Sequence, residues 1–214
     1  MIPISDDNPT RHFPLITVAV IVACVAVFAW QMTLPGDGVA AFFAFGLVPA
    51  ELLYGAKVVP GIDIPEPFTL VTHMFLHGDL LHLGGNMLYL WVFGNNVEDA
   101  MGRGRFVVFY LLCGLAAAGA QMFVPMMPLF GGTELIGDRA MEAMSIPMVG
   151  ASGAISGMLG AYLLLYPLAK IITVIPLGII LYPIKLPAMV VLGVYMVIQI
   201  ASALLSDPSE PGVA

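Results

Sequence analysis

Charge is scarce in this chain of 214 residues, which has 7 Lys and Arg, 14 Asp and Glu, and 10% charged residues overall. A soluble domain carries roughly 25% charged residues, so the polar surface here is too small to cover a water-soluble globule. The formal net charge of -7 argues against a nucleic-acid-binding protein, which needs a basic surface to meet the phosphates. With 60% hydrophobic residues, the composition also excludes a disordered chain.

Cysteine is nearly absent as well. Cys24 and Cys113 both lie within apolar runs, so the sequence predicts neither a disulfide framework nor a cysteine-based metal site. What is abundant is apolar sequence, and the mean hydropathy is +0.98. These numbers together predict a polytopic membrane protein.

Five apolar stretches are long enough to cross a bilayer, because a helical span needs about 20 mostly apolar residues. We therefore predict an all-α fold, a polytopic transmembrane helical bundle that forms a single domain over residues 1–214. The predicted spans are about 14–34, 80–98, 105–124, 150–168 and 186–206. A shorter apolar stretch, Ile171–Ile184, is interrupted by prolines and is interpreted as an interfacial connection.

The distribution of basic residues predicts the orientation, because cytoplasmic loops carry an excess of Lys and Arg. If the amino terminus lies in the cytoplasm, the inner loops hold Arg11, Arg103, Arg105, Lys170 and Lys185. The outer loops then hold only Lys57 and Arg139. A cytoplasmic amino terminus is therefore favoured, and the long outer loop 37–69, which is rich in aromatic residues, is predicted to be partly helical and partly interfacial.

Three of the four histidines lie in one segment, at the start of the second predicted span. His82 and Asn86 are four residues apart, so on a helix they share a face and can direct N–H donors at one oxygen atom. Hydrogen bonding to neighbouring helices is an equally good interpretation of this pair. His73 and His77 are also four apart, a zinc-compatible spacing, but neither a His-Glu-x-x-His motif nor a carboxylate on that face accompanies them.

A run of small residues, Gly150–Ala161, opens the fourth predicted span. Gly153 and Gly157 form a small-xxx-small pair that favours close helix packing. A second interpretation uses the same glycines to keep Ser152 accessible near a helix amino terminus. There, backbone N–H groups and the helix dipole would stabilise an oxyanion.

Taken together, a Gly-x-Ser-Gly segment on one span and a His-x-x-x-Asn segment on another resemble the rhomboid intramembrane serine proteases. The resemblance extends over nearly the whole chain, and the order and spacing of its motifs are more specific than any motif alone. The matching segments are Met74–Gly78, His82–Leu88, Gly94–Asp99, Arg105–Gly114 and Gly150–Tyr162.

The resemblance implies that Ser152 is the catalytic nucleophile and that His82 and Asn86 help to bind the oxyanion. His73 and His77 match the histidine-rich approach to that site. The implied function is a serine-type intramembrane endopeptidase that cleaves transmembrane segments of other membrane proteins. No metal, no cofactor and no nucleic acid is expected, the bilayer and the transmembrane substrates are the partners, and a bacterial inner membrane is the expected location.

The chain departs from the family pattern in one respect. Rhomboids carry the base histidine on a sixth span, whereas here no histidine follows His82. We therefore expect this chain to contain five of the six spans of a rhomboid, and we expect little or no activity from the chain alone. A rhomboid-like pseudoprotease that binds transmembrane segments without cleavage is the alternative. A transporter is less favoured, since the chain shows no repeated halves or paired intramembrane charges.

Overall fold

Helices form most of the protein, and the long ones lie in the apolar runs of the sequence. The computed structural model describes residues 1–55, 64–123, 138–177 and 180–205. Its α-helices are α1 (Leu15–Gln31), α2 (Val39–Phe45), α3 (Pro49–Tyr54), α4 (Thr69–Thr72), α5 (Leu80–Tyr89), α6 (Asn95–Met101), α7 (Arg103–Phe123), α8 (Asp138–Met144), α9 (Ser152–Leu165) and α10 (Ala188–Leu205). Short 3-10 helices cover Pro35–Gly38, Glu66–Phe68 and His73–Phe75.

Length and composition set one helix apart. Within the described residues, α7 alone is long and apolar enough to cross a membrane by itself. Three shorter apolar helices accompany it: Leu15–Gln31, Ser152–Leu165 and Ala188–Ser202. The protein is thus mostly helical, as predicted. The number of membrane spans remains a prediction.

The second predicted span is not one regular helix. A π-helical turn, Leu90–Gly94, joins α5 to α6. Gly94 is buried there, and a Cβ at that position would lie 3.0 Å from both the Met158 sulfur and Leu90 Cδ1. The glycine therefore lets the wide turn approach α9, and nothing in the hydrophobic pattern predicted this turn.

A three-stranded antiparallel sheet corrects the all-α prediction. Its strands are β1 (Ile2–Asp6), β2 (Lys170–Leu177) and β3 (Ile180–Pro187), in the order β1-β2-β3. The predicted interfacial connection Ile171–Ile184 is thus most of a β-hairpin, because its Ile, Val and Thr residues favour extended backbone. Pro183 and Pro187 are tolerated since they lie on an edge strand of the sheet, where an N–H donor is not needed.

Close packing between α7 and α9 forms the centre of the bundle. A Cβ on Gly153 would overlap Ala117, and a Cβ on Gly157 would overlap the Cys113 sulfur. The small residues of α9 therefore do pack a helix, as one of the two sequence interpretations proposed. This packing leaves Ser152 at the start of α9 and does not exclude a second role for that residue.

The amino-terminal segment is hydrogen-bonded to side chains of α9 and α6. The Tyr162 hydroxyl donates a hydrogen bond to Asp6 Oδ2 at 2.6 Å, and Asn96 Nδ2 donates to the Asn8 carbonyl at 2.7 Å. Asp99 accepts from the Arg11 and His12 backbone N–H groups, each at 3.0 Å. These hydrogen bonds hold the pKa of Asp99 below its usual value, and the bond from the Arg11 N–H has the largest effect.

Glu98 supplies the cap of α1. Its buried carboxylate accepts hydrogen bonds from the Ile16 and Thr17 N–H groups at 3.0 and 2.8 Å, and from the Thr17 hydroxyl at 2.8 Å. The first N–H groups of a helix have no partner within the helix, so this acidic side chain satisfies them from α6. The interaction joins the amino terminus of α1 to the element that follows the π turn.

We predict that Glu98→Gln lowers the free energy of unfolding by about 1–3 kcal/mol. The side-chain NH₂ group of glutamine would replace one carboxylate oxygen and would face N–H or O–H donors of Ile16 or Thr17 that it cannot accept from. Thermal unfolding of the purified protein in detergent measures the change. The exposed Glu142 provides the matched control, and Glu142→Gln should alter the stability by less than about 0.5 kcal/mol. Equal unfolding midpoints for the two variants would contradict the capping role.

Candidate functional site

The site is built first on the amino terminus of α5. Asp79 precedes the helix in an extended conformation, and its Oδ1 accepts a hydrogen bond from the His82 N–H at 2.8 Å. This bond is the main cause of a lowered pKa for Asp79. Because Asp79 fixes where the helix begins, His82 lies in its first turn and Asn86 lies one turn further along the same face.

Gly150 brings the second half of the site against that face. A Cβ at Gly150 would lie 2.8 Å from His82 Nε2 and 3.7 Å from Asn86 Nδ2. The residue has a φ of +120°, a conformation that glycine adopts far more easily than residues with a side chain. Its N–H donates to the His73 carbonyl at 2.9 Å, so the histidine segment also holds the backbone of Gly150.

Ser152 is the first residue of α9 and follows Gly150 by two positions. The side chain is half-buried, and the part of the chain that the structure describes offers its hydroxyl no hydrogen-bond partner. The amino terminus of a 14-residue helix directs N–H groups and the positive end of the helix dipole towards this point. Negative charge next to Ser152 would therefore be stabilised.

Three buried polar atoms in this region have no hydrogen-bond partner among the described residues: His77 Nε2, His82 Nε2 and Asn86 Nδ2. An unsatisfied buried polar group costs about 1–3 kcal/mol, so an arrangement that retains several of them needs an explanation. His82 Nε2 and Asn86 Nδ2 both lie next to Gly150. Two N–H donors so placed can bind one oxygen atom that enters beside the start of α9.

The other two histidines of the segment lie behind the site. His73 Nδ1 hydrogen-bonds the Thr69 carbonyl at 2.8 Å, and His77 Nδ1 lies 3.3 Å from the Phe75 carbonyl. Burial, and then the neighbouring His82, lowers the pKa of His77 to about 4, so its ring is neutral at neutral pH. Among the described residues, no group of three or more His, Cys, Asp or Glu side chains is placed to hold a metal ion.

The outer loop 37–69 contacts the segment that immediately precedes Gly150. Leu47 and Met148 form an isolated antiparallel bridge, with N–H to carbonyl distances of 3.1 and 2.8 Å. The loop contains α2 and α3, in agreement with a partly helical loop, whereas residues 56–63 lie outside the described part of the chain. The loop therefore helps to fix the approach to α9.

The structure thus places His82, Asn86 and Gly150 together, and it places Ser152 two residues beyond Gly150. Sequence reasoning did not single out Asp79, although an Asp three residues before His82 fits a helix cap. It also missed Gln31, the last residue of α1, which contacts His77. The available signal was weak: one amide at the end of an apolar run.

The Rhomboid domain profile matches residues 65–211. The chain is similar to Rhomboid protein 1, mitochondrial, from Saccharomyces cerevisiae, with 30% identity over 109 residues, which are 51% of this chain and 28% of that protein. It is similar to Rhomboid protease GluP from Bacillus subtilis, with 36% identity over 111 residues, which are 51% of this chain and 18% of that protein.

A third relative is Rhomboid protease GlpG from Klebsiella pneumoniae, with 28% identity over 105 residues. The match covers 49% of this chain and 34% of the relative. This chain therefore matches about a third or less of the length of each of these three proteins.

We predict that Gly150→Ala disrupts the site, because its Cβ would collide with the His82 ring in a conformation that alanine rarely adopts. The expected loss of unfolding free energy is about 1–3 kcal/mol. Gly160→Ala is the control, since a Cβ at this position in α9 meets no atom within 4 Å and alanine favours helix by up to about 1 kcal/mol. A variant at Gly150 as stable as the one at Gly160 would contradict this geometry.

Proposed function

This chain belongs to the rhomboid family, and from that membership we propose that it is the core of a serine endopeptidase that cleaves transmembrane segments of other membrane proteins. One observation carries the proposal. His82 Nε2 and Asn86 Nδ2 are buried, have no hydrogen-bond partner among the described residues and lie beside Gly150, and Ser152 begins α9 two residues later. The named relatives include rhomboid proteases.

In the proposed reaction, the Ser152 hydroxyl oxygen attacks the carbonyl carbon of a substrate peptide bond while a base takes its proton. The carbonyl oxygen becomes negative, and the side-chain N–H groups of His82 and Asn86 stabilise it together with the N–H of Ser152. The C–N bond then breaks, the amine leaves with the proton, and an acyl-enzyme remains. Water hydrolyses that ester and regenerates the serine.

The donor role requires a defined state of His82. Its imidazole must carry the proton on Nε2, the atom that faces Gly150. A ring that donates this proton to an oxyanion cannot serve at the same time as the base for Ser152. We therefore propose that His82 binds the oxyanion and that another residue acts as the base.

A serine hydroxyl is a weak nucleophile without a base within hydrogen-bond reach. His12 contacts Asp99 in the amino-terminal segment, and His73 is bonded to Thr69. We propose that none of these histidines is the base and that a histidine on a further helix, outside residues 1–214, takes that role. The exposed residues Gly160 and Leu164 of α9 lie on a helix face against which such a helix can pack.

The family consists of integral membrane proteins, and we propose the finer location from the charge distribution. The amino terminus lies in the cytoplasm, and the Ser152 end of α9 faces the outer side of a bacterial inner membrane. The substrates enter from the bilayer as transmembrane segments. No metal or other cofactor takes part in this scheme.

The alternative function is substrate binding without chemistry. A pseudoprotease would bind transmembrane segments and release them uncut. The retention of Ser152, His82 and Asn86 supports the protease, because binding alone requires none of these polar groups.

We predict that Ser152→Ala abolishes cleavage of a model transmembrane substrate by the native protein in proteoliposomes, with a loss of about 10⁴–10⁶-fold in turnover. Ser156→Ala removes a hydroxyl one turn further along α9 and should retain cleavage. Equal cleavage by the native protein and Ser152→Ala would overturn the nucleophile. Substrate binding without cleavage by the native protein would favour the pseudoprotease.

A fluorophosphonate probe tests the base separately. The 214-residue chain alone should label weakly at Ser152, because the proposed base would be missing and the hydroxyl would not be activated. Strong labelling of that chain, lost in Ser152→Ala, would show that the base lies within these residues.

A further inference from the structure

Gln31 makes an unusual contact for a residue in an apolar helix. It is the last residue of α1 and is fully buried. Its Nε2 donates to the His77 carbonyl at 3.3 Å, and its Oε1 accepts from the His77 N–H at 3.2 Å. The side-chain amide thus satisfies both backbone groups of one residue that lies 46 positions away.

The contact is enclosed by the beginning of the outer loop. Gly38 has a φ of +76°, and a Cβ on it would lie 2.9 Å from the Gln31 carbonyl oxygen. The loop backbone therefore packs directly over the end of α1. Because water is excluded there, loss of either hydrogen bond would leave a buried backbone group of His77 without a partner.

His77 transmits this constraint to the proposed site. Its fully buried ring lies edge-on to the His82 ring, with ring centroids 5.3 Å apart and an interplanar angle of 71°. Gly150 lies close to His82 Nε2. The His82 imidazole is therefore confined between the ring of His77 and the backbone of Gly150.

We propose that Gln31 is a positioning residue: it fixes the backbone of His77, and through the His77 ring it orients His82 Nε2 towards the oxyanion. The role in catalysis rests on the proposed function, in which His82 is a donor. The orientation of His82 is a separate property of the fold and is measurable without turnover.

The first experiment observes the histidine rings in the full 214-residue chain in nanodiscs, by NMR with ring-labelled histidine. Gln31→Met keeps the length of the side chain and removes both hydrogen bonds. We expect it to shift the His77 and His82 signals and to leave the His12 signal unchanged. Gln199→Met, the same substitution at an exposed residue of α10, should shift none of these signals.

A conservative variant separates hydrogen bonding from packing. In Gln31→Glu, a protonated carboxyl group offers one donor and one acceptor, as the amide does, whereas the ionised form offers no donor. The His82 signal should therefore match the wild type at low pH and depart from it as pH rises. The wild type is recorded at each pH, since His77 and His82 themselves also titrate.

The kinetic consequence is measured with the native protein and a transmembrane substrate. Misplacement of a catalytic group by about 1 Å can cost on the order of 100-fold in rate, so we expect Gln31→Met to lower kcat by about 10- to 100-fold with KM nearly unchanged. Gln199→Met should leave both constants unchanged.

The outcomes separate this inference from the proposed function. Unchanged His77 and His82 signals in Gln31→Met would overturn the inference, as would the loss of every histidine signal through unfolding in both Gln31 variants. Full cleavage by Ser152→Ala would instead overturn the proposed function, and the NMR result for Gln31→Met would still decide the orientation of His82.

Discussion

The approach of Gly150 to His82 is the contact on which the rest of the site depends. A side chain at position 150 would collide with the imidazole, so only glycine lets the start of α9 come this close to α5. Inside a bilayer, polar groups must find their partners within the protein. Within the part of the chain that the structure describes, His82 Nε2 and Asn86 Nδ2 are buried without any hydrogen-bond partner, and they lie at this contact. A fold that leaves such donors unsatisfied has a stability cost that a reacting oxygen atom would offset.

Several separate interactions converge to hold this contact. Asp79 sets the start of α5, the His73 carbonyl holds the Gly150 N–H, and Gln31 holds the backbone of His77. These supports come from the helix cap, from the 3-10 turn and from α1. Because they use different parts of the chain, the position of His82 is determined from several directions. The proposed oxyanion role requires this, because its donors must be placed before the charge develops.

The sequence was informative where local pattern and physical cost coincide. Uninterrupted apolar runs predicted where the long helices lie, and the family resemblance of the histidine and glycine segments is confirmed by the profile match. The i, i+4 spacing of His82 and Asn86 predicted a shared face. The catalytic roles of Ser152, His82 and Asn86 remain a proposal.

What the sequence did not reveal depends on contacts between distant residues. The sheet was missed because β1 comes from the amino-terminal residues 2–6 and pairs with a hairpin more than 160 positions away. Gln31 was missed because it bonds the backbone of His77, and a backbone partner cannot be recognised from residue types. The most direct test of the proposed oxyanion site is a crystal structure with a peptide boronate. We predict a bond to Ser152 Oγ and a boronate oxygen about 2.7–3.1 Å from His82 Nε2 and Asn86 Nδ2; a boronate bound at Ser152 with its oxygens directed away from both donors would contradict the account.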